Sequence, residues 1–147
     1  LRNPDLVKEI SESIGSQSLI VSIDVKKDIF GHYQCRSVSG KYNHKKSPVC
    51  WAKELENLGA GELLLTSIDK EGTWDGFDIE LIASVSNSVK IPVIASGGAG
   101  CLQDIEQAVN NGNASAVALG SMVLFQRKSM GVLVNFPKKE ELDLLFD

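Results

Sequence analysis

The sequence predicts an α/β fold, a parallel sheet covered by helices, and three observations carry that reading. A strand-like run, a loop and a helix-like run recur four times after an opening helix, the last helix being the least regular. The strand runs are apolar nearly throughout instead of alternating, as in strands buried on both faces. Their ends carry Asp24, Asp69, Ser96-Gly97-Gly98 and Gly120-Ser121. All four lie at strand C-termini, the rim on which such sheets place their sites.

Taken in order, Pro4 and Asp5 suit a helix first turn, and Leu6, Val7, Ile10 and Ile14 recur at helical spacing until Gly15. Residues 19–25, rich in β-branched side chains, form the first strand and bring Asp24 near its C-terminal end. From 26 to 46 the chain is polar and punctuated by glycine, which predicts a two-stranded excursion or a long loop. Ser47-Pro48 opens the next helix, Ser as N-cap and Pro in the first turn, with Val49, Ala52, Leu55 and Leu58 on its inner face before Gly59. The second strand covers 62–68, and a loop from Asp69 leads to Asp78, the expected cap of a helix carrying Ile79, Leu81, Ile82, Val85 and Val89. Pro92 starts the third strand, and a helix with Leu102, Ile105, Ala108 and Val109 follows Gly100. The fourth strand spans 114–119. A tail, Val132-Leu133-Val134-Asn135-Phe136-Pro137, leads to a last helix start with Leu142, Leu144, Leu145 and Phe146.

Bulk composition narrows the function classes. At 147 residues, 43% of them hydrophobic, the chain has the size of one domain with a real core. Its formal charge of −4 argues against nucleic acid as partner, because a Lys/Arg surplus is the usual footprint of such proteins. No apolar run reaches the roughly 18 residues of a membrane helix, and the first residues show no signal-peptide pattern, so the expectation is a cytoplasmic protein with no membrane partner. Cys35, Cys50 and Cys101 have no C-x-x-C spacing and read as reduced structural thiols.

The stretch Val93-Ile94-Ala95-Ser96-Gly97-Gly98-Ala99-Gly100 has the residues of a phosphate cradle: a buried strand, then small residues that let backbone N–H groups approach an anion. Gly-Gly after a strand also serves as a plain tight turn. Gly120-Ser121, a second small-residue turn after the next strand, tips the reading, since the last two strands of a (β/α)8 barrel hold phosphate in this way. His32 and His44 have no ligand-spaced partners and read as solvated loop residues. Trp51 and Trp74 read as packing, with Trp74 on the active rim. No motif calls for a metal or an organic cofactor.

Four motifs in order, Val21-Ser22-Ile23-Asp24, Gly59-Ala60-Gly61-Glu62, Leu65-Thr66-Ser67-Ile68-Asp69 with Gly72-Thr73 and Gly76-Phe77-Asp78, and Ile94-Ala95-Ser96-Gly97-Gly98-Ala99-Gly100, resemble the cyclase subunit of imidazole glycerol phosphate synthase. The resemblance runs from Leu19 to Ser121 and implies the C-terminal half of a (β/α)8 barrel over 1–147. It implies an enzyme of histidine biosynthesis that takes ammonia from a glutaminase partner and uses it on a phosphorylated ribulosyl substrate, giving imidazole glycerol phosphate and a carboxamide ribotide. By position Asp24 matches the second catalytic aspartate. Gly72, Gly98, Gly120 and Ser121 match donors to one substrate phosphate, with Asp69, Ser96 and Gly97 as candidate substrate contacts. Glu71 replaces an Asp common in that loop, and Glu62 matches an ammonia-gate residue at the opposite mouth.

The family's first catalytic aspartate, its second phosphate site and most of its gate belong to a half with no counterpart in the sequence, which opens at Leu1. Four strands do not close a barrel, so the expectation is a piece of a longer barrel or a half-barrel that assembles with another half. The tail from Val132 with Glu140-Glu141-Leu142, and Lys46-Ser47-Pro48-Val49, are similar to a sister group found in surface-polysaccharide clusters, which implies ammonia delivery to a sugar instead. A silent half-barrel that binds only phosphate or a partner, and a related phosphate-binding isomerase barrel with no need of a glutaminase, complete the alternatives.

Overall fold

The computed structural model describes residues 3–125 and 131–145. Its elements are α1 (Asp5–Ile14), β1 (Ile20–Lys27), β2 (Tyr33–Ser37), β3 (Tyr42–Asn43), α2 (Pro48–Asn57), β4 (Glu62–Ser67), α3 (Ile79–Ser86), β5 (Val93–Ser96), α4 (Leu102–Asn110), β6 (Ala116–Ala118), α5 (Ser121–Leu124) and α6 (Lys139–Asp143). They build one sheet of order β3-β2-β1-β4-β5-β6. The four expected strands, β1, β4, β5 and β6, are parallel neighbours. The polar excursion is a hairpin that adds β2 and β3 antiparallel beside β1, so the sheet has six strands where the parallel count alone gives four.

Strand alternation divides the side chains between two environments. Ile23, Val25, Leu63, Leu65, Val93 and Ala95 face the helices and are at most 2% exposed. Trp51, Ala52 and Leu55 of α2 and Leu81, Ile82 and Val85 of α3 cover them. Each buried Leu or Ile contributes about 1.5–3 kcal/mol, so this layer is the main source of stability. The opposite face carries Asp24, Leu64, Thr66, Ile94, Ser96 and Ala118, all half-buried. Polar groups persist there because solvent reaches them.

Local signals account for most element ends. Asp78 accepts a hydrogen bond from Leu81 N at 3.2 Å and caps α3, as its position predicts. Ser47 precedes α2 but its hydroxyl makes no cap bond, and Pro48 in the first turn starts that helix instead. α3 stops at Ser86 rather than continuing to Val89. α1 is amphipathic, yet Leu6 and Ile14 remain about half exposed and none of its residues is buried. β1 explains this: among the described residues Ile20 to Ile23 pair with β4 alone, with no strand on their other side for α1 to cover. Among the described residues no helix is long and apolar enough to cross a membrane. Phe146, assigned to the last helix by its spacing, lies outside the described residues.

Candidate functional site

The backbone register assembles the site. Asp24 lies opposite Thr66, Thr66 opposite Ser96, and Ser96 opposite Ala118, so one row crosses all four parallel strands on the open face. Asp24, Thr66 and Ser96 form its polar part. Asp24 accepts a 3.4 Å contact from the Ser22 hydroxyl, the residue two positions earlier on the same face. Thr66 lies in one of the quoted motifs without a role assigned to it; counting alternation from buried Leu65 is the signal that puts it on the open face.

Just beyond the row, Glu71, Gly72, Ser96, Gly97, Gly98, Ala99, Ala118, Leu119, Gly120 and Ser121 line a cleft of about 160 Å³. A water molecule occupies about 30 Å³ of liquid, so a phosphate group fits. The backbone N–H groups of Gly72, Gly98, Ala99, Gly120 and Ser121 donate to nothing among the described residues. Free donors converging on one cleft are what an anion requires.

Two glycines there are dictated by geometry. Gly97 and Gly98 have φ of +97° and +109°, in the left-handed region. A Cβ on Gly98 would stand 2.2 Å from Gly76 O, and the amide of Gly76 donates to Gly98 O at 3.0 Å. The 69–78 loop is thereby pressed against the glycine run. Glu71 reaches from that loop into the cleft: a Cβ on Gly97 would meet its Oε2 at 3.3 Å, and one on Gly120 its Oε1 at 4.0 Å. A carboxylate therefore borders the set of donors.

The remaining candidates lie apart from the cleft. Asp69 Oδ2 accepts from Lys27 N at 2.8 Å, so this carboxylate ties the end of β1 to the loop after β4. Glu62 is half-buried at the start of β4, level with Ile20, at the end of the sheet opposite the cleft. Trp51 is buried in the core, and Trp74 is half-buried with φ of +65°.

The histidines and thiols depart in part from their solvated and structural readings. His32 is exposed, and its Nδ1 lies 3.5 Å from Asp28. His44 is half-buried and pairs through Nε2 with the Ser37 hydroxyl at 2.7 Å, because the β2–β3 hairpin folds it back over the sheet. Cys35 is fully buried and its thiol is pushed up to about 11 by burial, with Lys46 partly opposing. Cys101 is exposed at the start of α4, where its backbone amide donates to Asp104 Oδ2 at 3.0 Å, and Cys50 is exposed on α2. No group of three His, Cys, Asp or Glu side chains suited to a metal occurs among the described residues.

Four consecutive parallel β/α units, with a row of polar groups and free amides toward the strand C-termini, match half of a (β/α)8 barrel. A family model described as histidine biosynthesis protein matches residues 1–129, and the chain belongs to that family. The imidazole glycerol phosphate synthase subunit HisF of Prochlorococcus marinus (strain MIT 9312) is 41% identical over 98% of this chain and 57% of its own length. The protein of the same name from Methanococcus vannielii is 40% identical over 86% of this chain and 54% of its own. The chain thus spans a little over half the length of these relatives.

Proposed function

We propose that the chain forms the phosphate-holding half of a cyclase active site in histidine biosynthesis, working in the cytoplasm. Glutaminase-derived ammonia reacts there with a phosphorylated ribulosyl substrate to give imidazole glycerol phosphate and a carboxamide ribotide. Asp24 is the proton-transferring carboxylate during ring closure. Gly72, Gly98, Gly120 and Ser121 hold a substrate phosphate, Thr66 and Ser96 touch the substrate between the two, and Glu62 stands where ammonia enters. The observation that carries the reading is the shared row of Asp24, Thr66 and Ser96, ending beside a cleft of unpaired backbone donors. Asp69 is engaged by Lys27 and acts by holding the loop in place.

Delivery of ammonia to a sugar, with the same Asp24 and cleft, is favoured by the likeness of Val132 to Pro137 with Glu140-Glu141-Leu142, and of Lys46-Ser47-Pro48-Val49, to the surface-polysaccharide sister group. The test is steady-state turnover with ammonium and each acceptor, for the wild type and Asp24→Asn. Product from the ribulosyl substrate, lost by at least a hundredfold in the variant, supports the cyclase reading. Turnover of an acceptor sugar alone favours the second reading. Phosphate binding without turnover of either leaves only a binding function.

A further inference from the structure

Beside Asp24 lies a pair of side chains that the proposed chemistry leaves unused. Arg36 of β2 is the direct cross-strand partner of Asp24, and Gln34 that of Lys26. Partners directly opposite in an antiparallel pair share a face, as do residues two apart. Asp24, Arg36, Gln34 and Lys26 therefore stand together on the open face. Arg36 Nε and Gln34 Oε1 are shut off from solvent, and neither has a hydrogen-bond partner among the described residues. No ion pair joins Arg36 to Asp24. A cavity of about 220 Å³ at the edge of the sheet is lined by Ser22, Asp24, Arg36 and Ser37 together with Pro4 and Val7 near the start of the chain and Trp51 and Leu55 of α2; Gln34 and Lys26 stand outside this lining.

A buried donor and a buried acceptor left unmatched side by side are costly to the folded chain unless another molecule satisfies them. A guanidinium offers a planar fork that matches the two oxygens of a carboxylate or phosphate. The amide oxygen of Gln34 needs a donor, which a hydroxyl or N–H next to that oxyanion supplies. Lys26, exposed across from Gln34, adds positive charge.

We propose that Arg36 and Gln34 form a specificity subsite that seats an oxyanion of the acceptor beside Asp24, separate from the glycine cleft. The inference rests on Asp24 being the reacting carboxylate. Arg36 then determines which acceptors present their reacting carbon to it.

The test follows the Arg36 Nε–H resonance of the wild-type protein by NMR during titration with sodium acetate and, separately, with inorganic phosphate. The Gly98 and Gly120 amides report on the glycine cleft in the same spectra. The subsite predicts a saturable shift of Arg36 Nε–H at millimolar anion, with acetate effective if the natural group is a carboxylate and phosphate alone if it is a phosphate. Arg36→Met then weakens acetate binding, read at the Asp24 amide, at least tenfold, and leaves the phosphate response of Gly120 unchanged. An Arg36 signal unmoved by both anions while Gly120 responds to phosphate overturns the subsite and leaves the cleft reading standing. An Arg36 shift with silent glycine amides supports the subsite and removes the cleft reading. Silence of both overturns both.

Discussion

The Tyr33 hydroxyl donates a 2.7 Å hydrogen bond to Asp78 Oδ1, fastening the β1–β2 hairpin to the N-terminus of α3. Lys27 reinforces the same junction, with its Nζ 3.9 Å from Asp78 Oδ2 and 4.7 Å from the centre of the Tyr33 ring. Asp78 thus serves α3, the hairpin and the rim loop at once.

Tyr33→Phe removes the hydroxyl's bond to Asp78 and its weaker 3.3 Å contact with Glu80 Oε2, while Asp78 keeps its cap and its lysine. The expected loss is about 1 kcal/mol, as for a partly solvated bond, measured by urea denaturation. Its pH dependence follows from the phenol, which burial and then the bond to Asp78 hold above its ordinary range. The unfolded phenol ionises from about pH 10 while the folded one stays protonated. Above that pH the unfolded state therefore binds fewer protons and gains stability relative to the folded state. The wild type's advantage over the variant is constant from about pH 6 to 9 and shrinks above about pH 10. An advantage that grows with alkalinity contradicts this account.

The cleft pairs a set of anion donors with a carboxylate. Glu71→Gln removes a negative charge a few ångströms from the bound phosphate, a repulsion of about 1 kcal/mol at a solvated site. Phosphate binding by calorimetry should tighten about fivefold at low salt, and by less at high ionic strength, where the charge is screened. Equal affinities for the two proteins place the anion away from Glu71.

Stability and binding separate at two neighbouring positions. Gly98→Ala forces a side chain into left-handed backbone at φ of +109° and drives its Cβ to 2.2 Å from Gly76 O. A loss of about 3 kcal/mol or more is expected. Ser121 lines the same cleft, and its hydroxyl has no partner among the described residues. Ser121→Ala should leave the melting temperature unchanged and weaken phosphate binding by one hydrogen bond, about fivefold. A large stability loss in Ser121→Ala would refute its assignment to the ligand.

The sequence made some of this legible and hid the rest for physical reasons. Runs such as Leu63-Leu64-Leu65 are apolar whichever face they show, so they announce a buried strand. Asp78 is readable as a cap because capping is a local interaction. Thr66 falls within one of the motifs and Arg36 in none, but the place of both beside Asp24 depends on register, which is settled only when strands pair. The Ser37–His44 bond escapes for the same reason, since it forms only once the hairpin closes.

The three cysteines give a test of the hairpin's place in the fold. Cys35 is fully buried in β2 and its thiol is raised to about 11, chiefly by burial, so at pH 8 it carries little thiolate and is shut off from reagents. Cys50 and Cys101 are exposed. Iodoacetamide at pH 8 should label these two in the native protein and the third only after denaturation, as counted by intact mass and peptide mapping. Equal labelling of all three would show that β2 does not pack over the core and would remove the register that brings Arg36 to Asp24. Protection confined to Cys35 ties that register to the buried layer formed by Ile23 and Val25.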